Sequence, residues 1–404
     1  AAHNLGRSQN AIDYGSKAVE LGLKANDPAL QAQATQIPAL EYQTLRQFAK
    51  QKEWLQKGIE ISKQVSNVNS KQNIQARLYA ELGSYFVERR EFQKAIEHIS
   101  CAVQQLDSLV SYFKRIGRPP QTIRTLESSL TTVITRLGTA HLQAGNSQEA
   151  IKAFELGLAR VKNSQLNVPG ESLLVHGLGA AYLAQKDYVR AMEQFNAALE
   201  TAEKRRQSNF IEQASSSIGS LLLQTQREAE AIPYFKKATD SIESMRSLLQ
   251  SEELRTSFFE NKGQTYGGMI LAHLAANNVA EAFNYNERAR SRAFLDTLGN
   301  KAQLGRQSAL IEEERALQAR MAELRARLSA QSGGGEEEGA QPRSDLEAAE
   351  KAYAEFLAKI RKENKEQASL MNVEPLTLKQ VQELLDPGVT IIEYFVVMDK
   401  TVLW

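Results

Sequence analysis

Between Leu173 and Glu200, apolar side chains recur at Leu174, Leu178, Ala181 and Tyr182. They break at Gln185-Lys186-Asp187 and resume at Tyr188, Ala191, Met192, Phe195, Ala198 and Leu199. Spacings of three and four residues put each group on one helical face, and the polar break predicts a tight turn between two antiparallel helices. Gly179 and Ala191 account for the pairing, because helix axes come within about 8–10 Å only where the side chains at the crossing are small. Tyr182, Phe195 and Leu199 then fill the space between this pair and the next.

The pattern returns along the chain. Leu137-Gly138, Leu178-Gly179 and Ile218-Gly219 are spaced 41 and 40 residues apart. Twelve residues after each glycine stands Ala150, Ala191 or Ala231, and sixteen after it Phe154, Phe195 or Phe235. Leu82-Gly83 opens the same pattern with Ala95 and Ile99 in those slots. A fixed period of this length predicts a solenoid, in which each unit buries its apolar face on its neighbours. Function is then expected on an extended surface rather than in one pocket.

Two spacings are long. Gly83 to Gly138 is 55 residues, with apolar positions continuing through Leu106, Leu109, Phe113 and Ile116 and again from Ile123 to Val133. This predicts about two extra turns on each of two facing helices. Ala231 to Ala282 is 51 residues, and Pro233 is expected to make its helix start late or bend. Ala11, Gly15 and Ala18 match the second helix of a copy whose first helix is mostly missing. Around Tyr42, Trp54 and Ile61 the period is kept, but the small residues are largely lost.

The Leu-Gly, Tyr, Ala, Phe, Ala series resembles the tetratricopeptide repeat, whose usual period is 34 residues; the longer period here adds about a turn to each helix. The resemblance implies an all-α, right-handed superhelix over residues 1–300, with about six repeats, the first partial, and the first helix of each pair lining a concave groove. Positions facing that groove are Arg77, Glu81 and Ser84, then Thr132, Thr135, Arg136, Thr139 and Gln143, then His176, then Gln213, Ser217 and Ser220. Chaperone-binding members of the family hold a peptide carboxylate with lysines, asparagines and an arginine. Here the residue after each glycine is Ser84, Thr139, Ala180 or Ser220 and never asparagine, so that clamp is not expected. Hydroxyls with Gln and Arg point instead to hydrogen bonds with an extended peptide or a helix; a plain solvated groove is the bland alternative.

The run from Glu281 to Asp296 is arginine-rich and resembles the segment that precedes the protease domain of the CHAT family, caspase-like proteins fused to tetratricopeptide repeats. Read without that resemblance, Arg288, Arg290 and Arg292 form a solvated helical face. Over residues 301–371, Leu310, Leu317, Met321, Leu324 and Leu328 face Leu346, Ala349, Tyr353, Phe356 and Ile360 at heptad-like spacing. They predict an antiparallel, coiled-coil-like helical hairpin whose Gly/Glu-rich tip, 331–345, is disordered. A short capped helix, an Asp386-Pro387-Gly388 turn and two strands follow. The segment 372–404, with Glu393-Tyr394-Phe395, resembles the opening of a CHAT domain and is read as its truncated start. A two-stranded hairpin is marginal by itself in water, so these strands must dock on something or be disordered.

Composition narrows the function. The 49 basic and 48 acidic side chains give a net charge of +1, without the basic excess of a nucleic-acid binder, and no apolar run approaches the roughly 18 residues of a membrane span. Neither nucleic acid nor membrane is expected as a partner. A single cysteine excludes an intrachain disulfide and fits a reducing cytoplasm, where the protein is expected. The chain opens at Ala1-Ala2-His3 within a helical pattern and is read as truncated there.

A CHAT protease resembles caspases and uses a His–Cys dyad placed after the opening hairpin, and no residue here occupies those positions. His98 and Cys101 are three apart on one predicted helix. Cys101 adjoins Ala102 on the packed face, no third residue orients the pair, and the cysteine reads as structural. His3, His141, His176 and His273 lack metal-ligand spacing, and no phosphate loop or dinucleotide fingerprint is present. The expectation is a non-enzymatic scaffold without cofactor or metal, taking a protein or peptide in its groove and contacting its own protease domain. The alternative is a peptide-sensing receptor or signalling adaptor with no protease, which would have no use for Thr390–Trp404.

Overall fold

The protein is described from a computed structural model, which covers residues 2–163, 170–247, 258, 262–299, scattered positions between 313 and 359, 376–397 and 400–404. Its helices are α1 (Ala2–Lys24), α2 (Pro28–Ala34), α3 (Gln36–Thr44), α4 (Phe48–Ser62), α5 (Val68–Glu88), α6 (Phe92–Arg115), α7 (Pro120–Gln143) and α8 (Ser147–Asn163). They continue as α9 (Glu171–Ala184), α10 (Tyr188–Lys204), α11 (Ser208–Gln224), α12 (Glu228–Ser247), α13 (Gly263–Ala275), α14 (Val279–Gly299) and α15 (Leu378–Leu384). Two strands close the chain, β1 (Tyr394–Val397) and β2 (Lys400–Leu403). The chain divides into two units, Ala1–Thr201 and Ala202–Trp404. Both are built from tetratricopeptide-type helix pairs.

In the first unit the turn inside each pair falls seven residues after the small residue of the first helix, at Arg46, Arg90, Gly145 and Lys186, with φ of 55°, 58°, 81° and 60°. A left-handed residue closes a helix by feeding its orphan carbonyls. Arg90 N donates to Val87 O (2.9 Å) and Glu91 N to Phe86 O (2.9 Å). The crossings are as tight as the periodicity requires. Ala95, Ala150 and Ala191 are fully buried. A Cβ added at Gly138 would sit 2.6 Å from the Phe154 ring, and one at Gly179 2.6 Å from the Phe195 ring. Replacing Ala191 by Leu should therefore overfill its crossing and cost about 1–3 kcal/mol. An unchanged midpoint in urea denaturation would show that the repeat register is misplaced.

Helices α6 and α7 each run 24 residues, against 17 for α8, so the long spacing is two added turns on facing helices. Their extensions pack through Leu106, Leu109, Val110, Leu126, Leu130 and Val133. The Glu127 carboxylate is buried beside this core and is compensated by Lys114 at 2.6 Å and Arg160 at 3.5 Å; Arg160 also reaches Asp107 at 2.7 Å. Burying one carboxylate among two cations offsets its desolvation cost.

Near the N-terminus, Asp27 caps α2 by accepting from Ala29 N and Leu30 N at 2.9 and 3.0 Å. The α2–α3 helix is broken at Thr35, whose Oγ1 donates to Ala32 O at 2.8 Å. In the pair of α3 with α4, Ala39 stands in the glycine slot, Gln51 in the alanine slot and Leu55 in the aromatic slot, all three buried. That explains why this copy keeps the period without its signature.

In the second unit α12 begins at Glu228 and runs through Pro233 to Ser247. Of the late start or bend expected at Pro233, the late start does not occur. Phe235 packs on Gly219 of its own pair and on Gly268 of the next. The offsets carried forward place Ile270, Ala282 and Asn286 in the glycine, alanine and aromatic slots of the last pair, α13 with α14, and Asn277 at its turn with φ 58°. Further on, Met321, Leu324 and Ala349 are buried together, with Leu346 and Tyr353 packed against them. The Gly/Glu-rich tip at 331–345 lies outside the described residues apart from Ser344 and Asp345, as do Leu310, Leu328 and Ile360 of the arms. Thr377 and Gln380 form a capping box on α15.

The two strands pair antiparallel, Tyr394 with Leu403 and Val397 with Lys400. Glu393 and Trp404 extend the ladder, with N–H···O distances of 3.1 and 2.8 Å. The turn residues Met398 and Asp399 lie outside the described residues. This hairpin docks on the last helix pair. Val397 is buried on Gly267, and the Phe283 and Trp404 rings meet edge to face at 5.6 Å.

Candidate functional site

The polar residues picked out on the first helices fall into three groups. In the first unit, Arg136 Nη1 on α7 donates to Glu81 Oε1 on α5 at 2.8 Å and to Ser84 Oγ at 3.2 Å, and all three side chains are half-buried. One repeat earlier, Gln43 on α3 donates to Glu88 on α5. These contacts tie neighbouring first helices together. Arg77, Thr132, Thr139 and Gln143 are exposed along the same helices.

The threonines spend their hydroxyl protons locally. Thr132, Thr135 and Thr139 donate to Ser128 O, Thr131 O and Thr135 O at 3.0, 2.9 and 3.0 Å. Such back-bonding leaves only the hydroxyl lone pairs for a partner. Thr135 is a correction: it is buried, because its position on α7 turns toward the core beside Ile134, and it cannot touch a ligand in a groove. His176 is half-buried. Its ring packs 5.2 Å from that of Phe195, and burial pushes its imidazole down to about 4. A neutral histidine so held contributes packing, not charge.

In the second unit Gln213, Ser217 and Ser220 on α11 are half-buried, and Ser220 Oγ donates to Ser216 O at 2.9 Å. Here the structure shows a polar cluster that periodicity alone does not reveal. Glu212 is buried between α11 and α13, held by Lys262 at 2.6 Å and by the Thr265 hydroxyl at 3.0 Å, which in turn lies 3.1 Å from Ser216 Oγ. Its signal is weak: Glu212 is the one charged residue of α11 and stands next to Ile211.

His98 stacks between Tyr79 at 5.9 Å and Phe86 at 5.3 Å, nearly parallel to both, and desolvation lowers its pKa. It serves as an aromatic filler, and Cys101 is half-buried on the same helix. Among the described residues no three His, Cys, Asp or Glu side chains group as metal ligands, and no helix is long and apolar enough to cross a membrane.

The tetratricopeptide repeat family model matches residues 213–244, which cover most of α11 and most of α12. No curated protein matches the sequence. Among solved structures, the quorum sensor NprR from B. thuringiensis in its apo form shares 12% identity over 90% of this chain and 98% of its own, with a TM-score of 0.45. The Rap conjugation gene regulator of plasmid pLS20 in complex with the Phr* peptide shares 13% over 83% and 78%, with a TM-score of 0.43. BtubC from P. vanneervenii shares 15% over 59% and 89%, with a TM-score of 0.44.

Proposed function

We propose that this chain is a non-catalytic helical-repeat scaffold that recognises a protein or peptide, and that it forms the recognition and regulatory region of a CHAT-family cysteine protease of the cytoplasm. The observation that supports recognition is the line of half-exposed polar side chains on α5 and α7, centred on Arg136, Glu81 and Ser84. The guanidinium there is held by one ion pair and keeps further N–H donors in a planar fork. What favours the protease-linked reading over a peptide receptor with no protease is the C-terminal hairpin docked on the last helix pair, for which the receptor has no use.

A peptide array probed with the whole chain tests the proposal. Arg136→Ala should weaken every groove binder by about 1–3 kcal/mol, the worth of a charge-assisted hydrogen bond. It should change stability little, because the Arg136–Glu81 pair is more than a third exposed on both sides and such pairs contribute about 0–1 kcal/mol. Binding that survives Arg136→Ala and is lost when residues 312–362 are deleted would move recognition to the helical hairpin.

A further inference from the structure

We propose that the last helix pair clamps the C-terminal β-hairpin through a two-carboxyl site, in which Asn286 and Arg290 hold Glu393 against Glu287, and that docking takes up a proton. Asn286 stands in the slot that Phe154, Phe195 and Phe235 fill in other pairs, and it is fully buried. A buried amide in an aromatic slot costs stability unless something occupies it. Its Nδ2 donates to Glu393 Oε1, and Arg290, four residues on along α14, donates to the same oxygen. Asn286 Oδ1 has no hydrogen-bond partner among the described residues. This polar slot occurs in the one repeat that carries the hairpin, which ties it to docking.

The charges around the pair do not balance. Arg290 pairs with Glu393, while Glu287, three residues before it on α14, is hydrogen-bonded to Glu393 and has no ion pair with Arg290 among the described residues. The other charged groups that face α14 are otherwise engaged: Arg288 lies over the Tyr285 ring at 5.3 Å, Lys236 pairs with Asp240 at 2.7 Å, and on α15, which packs on α14, Lys379 pairs with Glu383 at 3.8 Å. His273 on α13 stacks on Tyr285 at 5.5 Å, and burial lowers its pKa. Glu281 and Lys400 are exposed at the ends of α14 and the hairpin. With Glu287 half-buried against Glu393, one of the two carboxyls favours its neutral form, which can donate to the other. Desolvation first, and the Glu393 charge second, raise Glu287 to about 7.

The sign follows from linkage. A carboxyl whose pKa is raised by docking binds its proton more tightly in the docked state, so docking is favoured at low pH. That advantage is lost as pH rises from the ordinary carboxylate range through about 7, and above it the dependence vanishes. This inference is independent of the CHAT reading.

Hydrogen exchange of the amides of 394–397 and 400–403 in the whole chain, corrected for intrinsic rates, reads docking directly. Protection should be about tenfold greater at pH 6 than at pH 8. In Glu287→Gln, which imitates the protonated acid, it should stay high and flat with pH, while the amides of α11 keep their native protection. Should that variant fail to fold, Glu393→Gln provides the second arm. It should flatten the same step with lower protection overall, since Arg290 loses its charged partner. A flat profile in the unsubstituted protein, or a step that persists in either variant, overturns the proposal.

Discussion

Phe235→Ala should destabilise the second unit by about 3–5 kcal/mol, the usual cost of truncating a fully buried phenylalanine. Phe235 has no exposed surface. Its ring fills the space made by two glycines, Gly219 in its own helix pair and Gly268 in the next. Neither glycine has a side chain that could move into the cavity, so relaxation would require α11 and α13 to shift as rigid bodies. Equilibrium urea unfolding followed by circular dichroism measures the loss, and a change under about 1 kcal/mol would mean that the ring does not bridge the pairs. Phe235→Ile is the internal control. Ile99 already fills the equivalent slot beside Gly83, so a branched aliphatic should recover most of the loss.

The repeat was legible because packing imposes it on residue size. Two helices that cross at Gly138 and Ala150, or at Gly179 and Ala191, cannot accept larger side chains, so composition at those slots carries the geometry. The turns were less legible. Only Gly145 is glycine at the left-handed position inside a pair; Arg46, Arg90, Lys186, Gln226 and Asn277 occupy the others. A non-glycine residue there costs about 1–2 kcal/mol, which the hydrogen bonds of the helix ends offset. The last pair was harder still. Ile270 and Asn286 break the pattern, and Asn286 has a rationale only when Glu393, 107 residues later, is placed beside it. Sequence spacing carries no signal for such a contact.

The candidate groove was legible by helix face but not by role. Arg136, Glu81 and Ser84 do meet, though as a tie between neighbouring first helices. Thr135 on that face is buried, and His176, half-buried, packs its ring on Phe195. The Glu212–Lys262–Thr265 cluster performs the same tying role in the second unit. First-helix polar residues therefore divide between joining repeats and meeting a partner. The exposed side chains, Arg77, Thr132, Thr139 and Gln143, are the ones to substitute after Arg136.

Gly267→Ala should release the C-terminal hairpin while leaving the last helix pair folded. Taken alone, the change favours α13, since alanine in a helix interior is better than glycine by about 0.5–1 kcal/mol. Docking opposes it. A Cβ at residue 267 would overlap the Val397 side chain, and Val397 cannot turn away because its backbone pairs with Lys400 and its strand is anchored at Glu393. Undocking forfeits the burial of Val397, worth roughly 1.5–3 kcal/mol, together with the Trp404 contact on Phe283. The helical gain is the same docked or released, so release is decided by whether the overlap costs more than these contacts, and a Cβ driven into Val397 Cγ2 makes it do so. In a Trp54→Phe background Trp404 is the remaining indole of two, and its emission should move to the red in Gly267→Ala with the helical circular dichroism unchanged. The acid-dependent protection of 394–403 should vanish with it. A variant that gains stability and keeps Trp404 on Phe283 would show that the hairpin does not sit on α13.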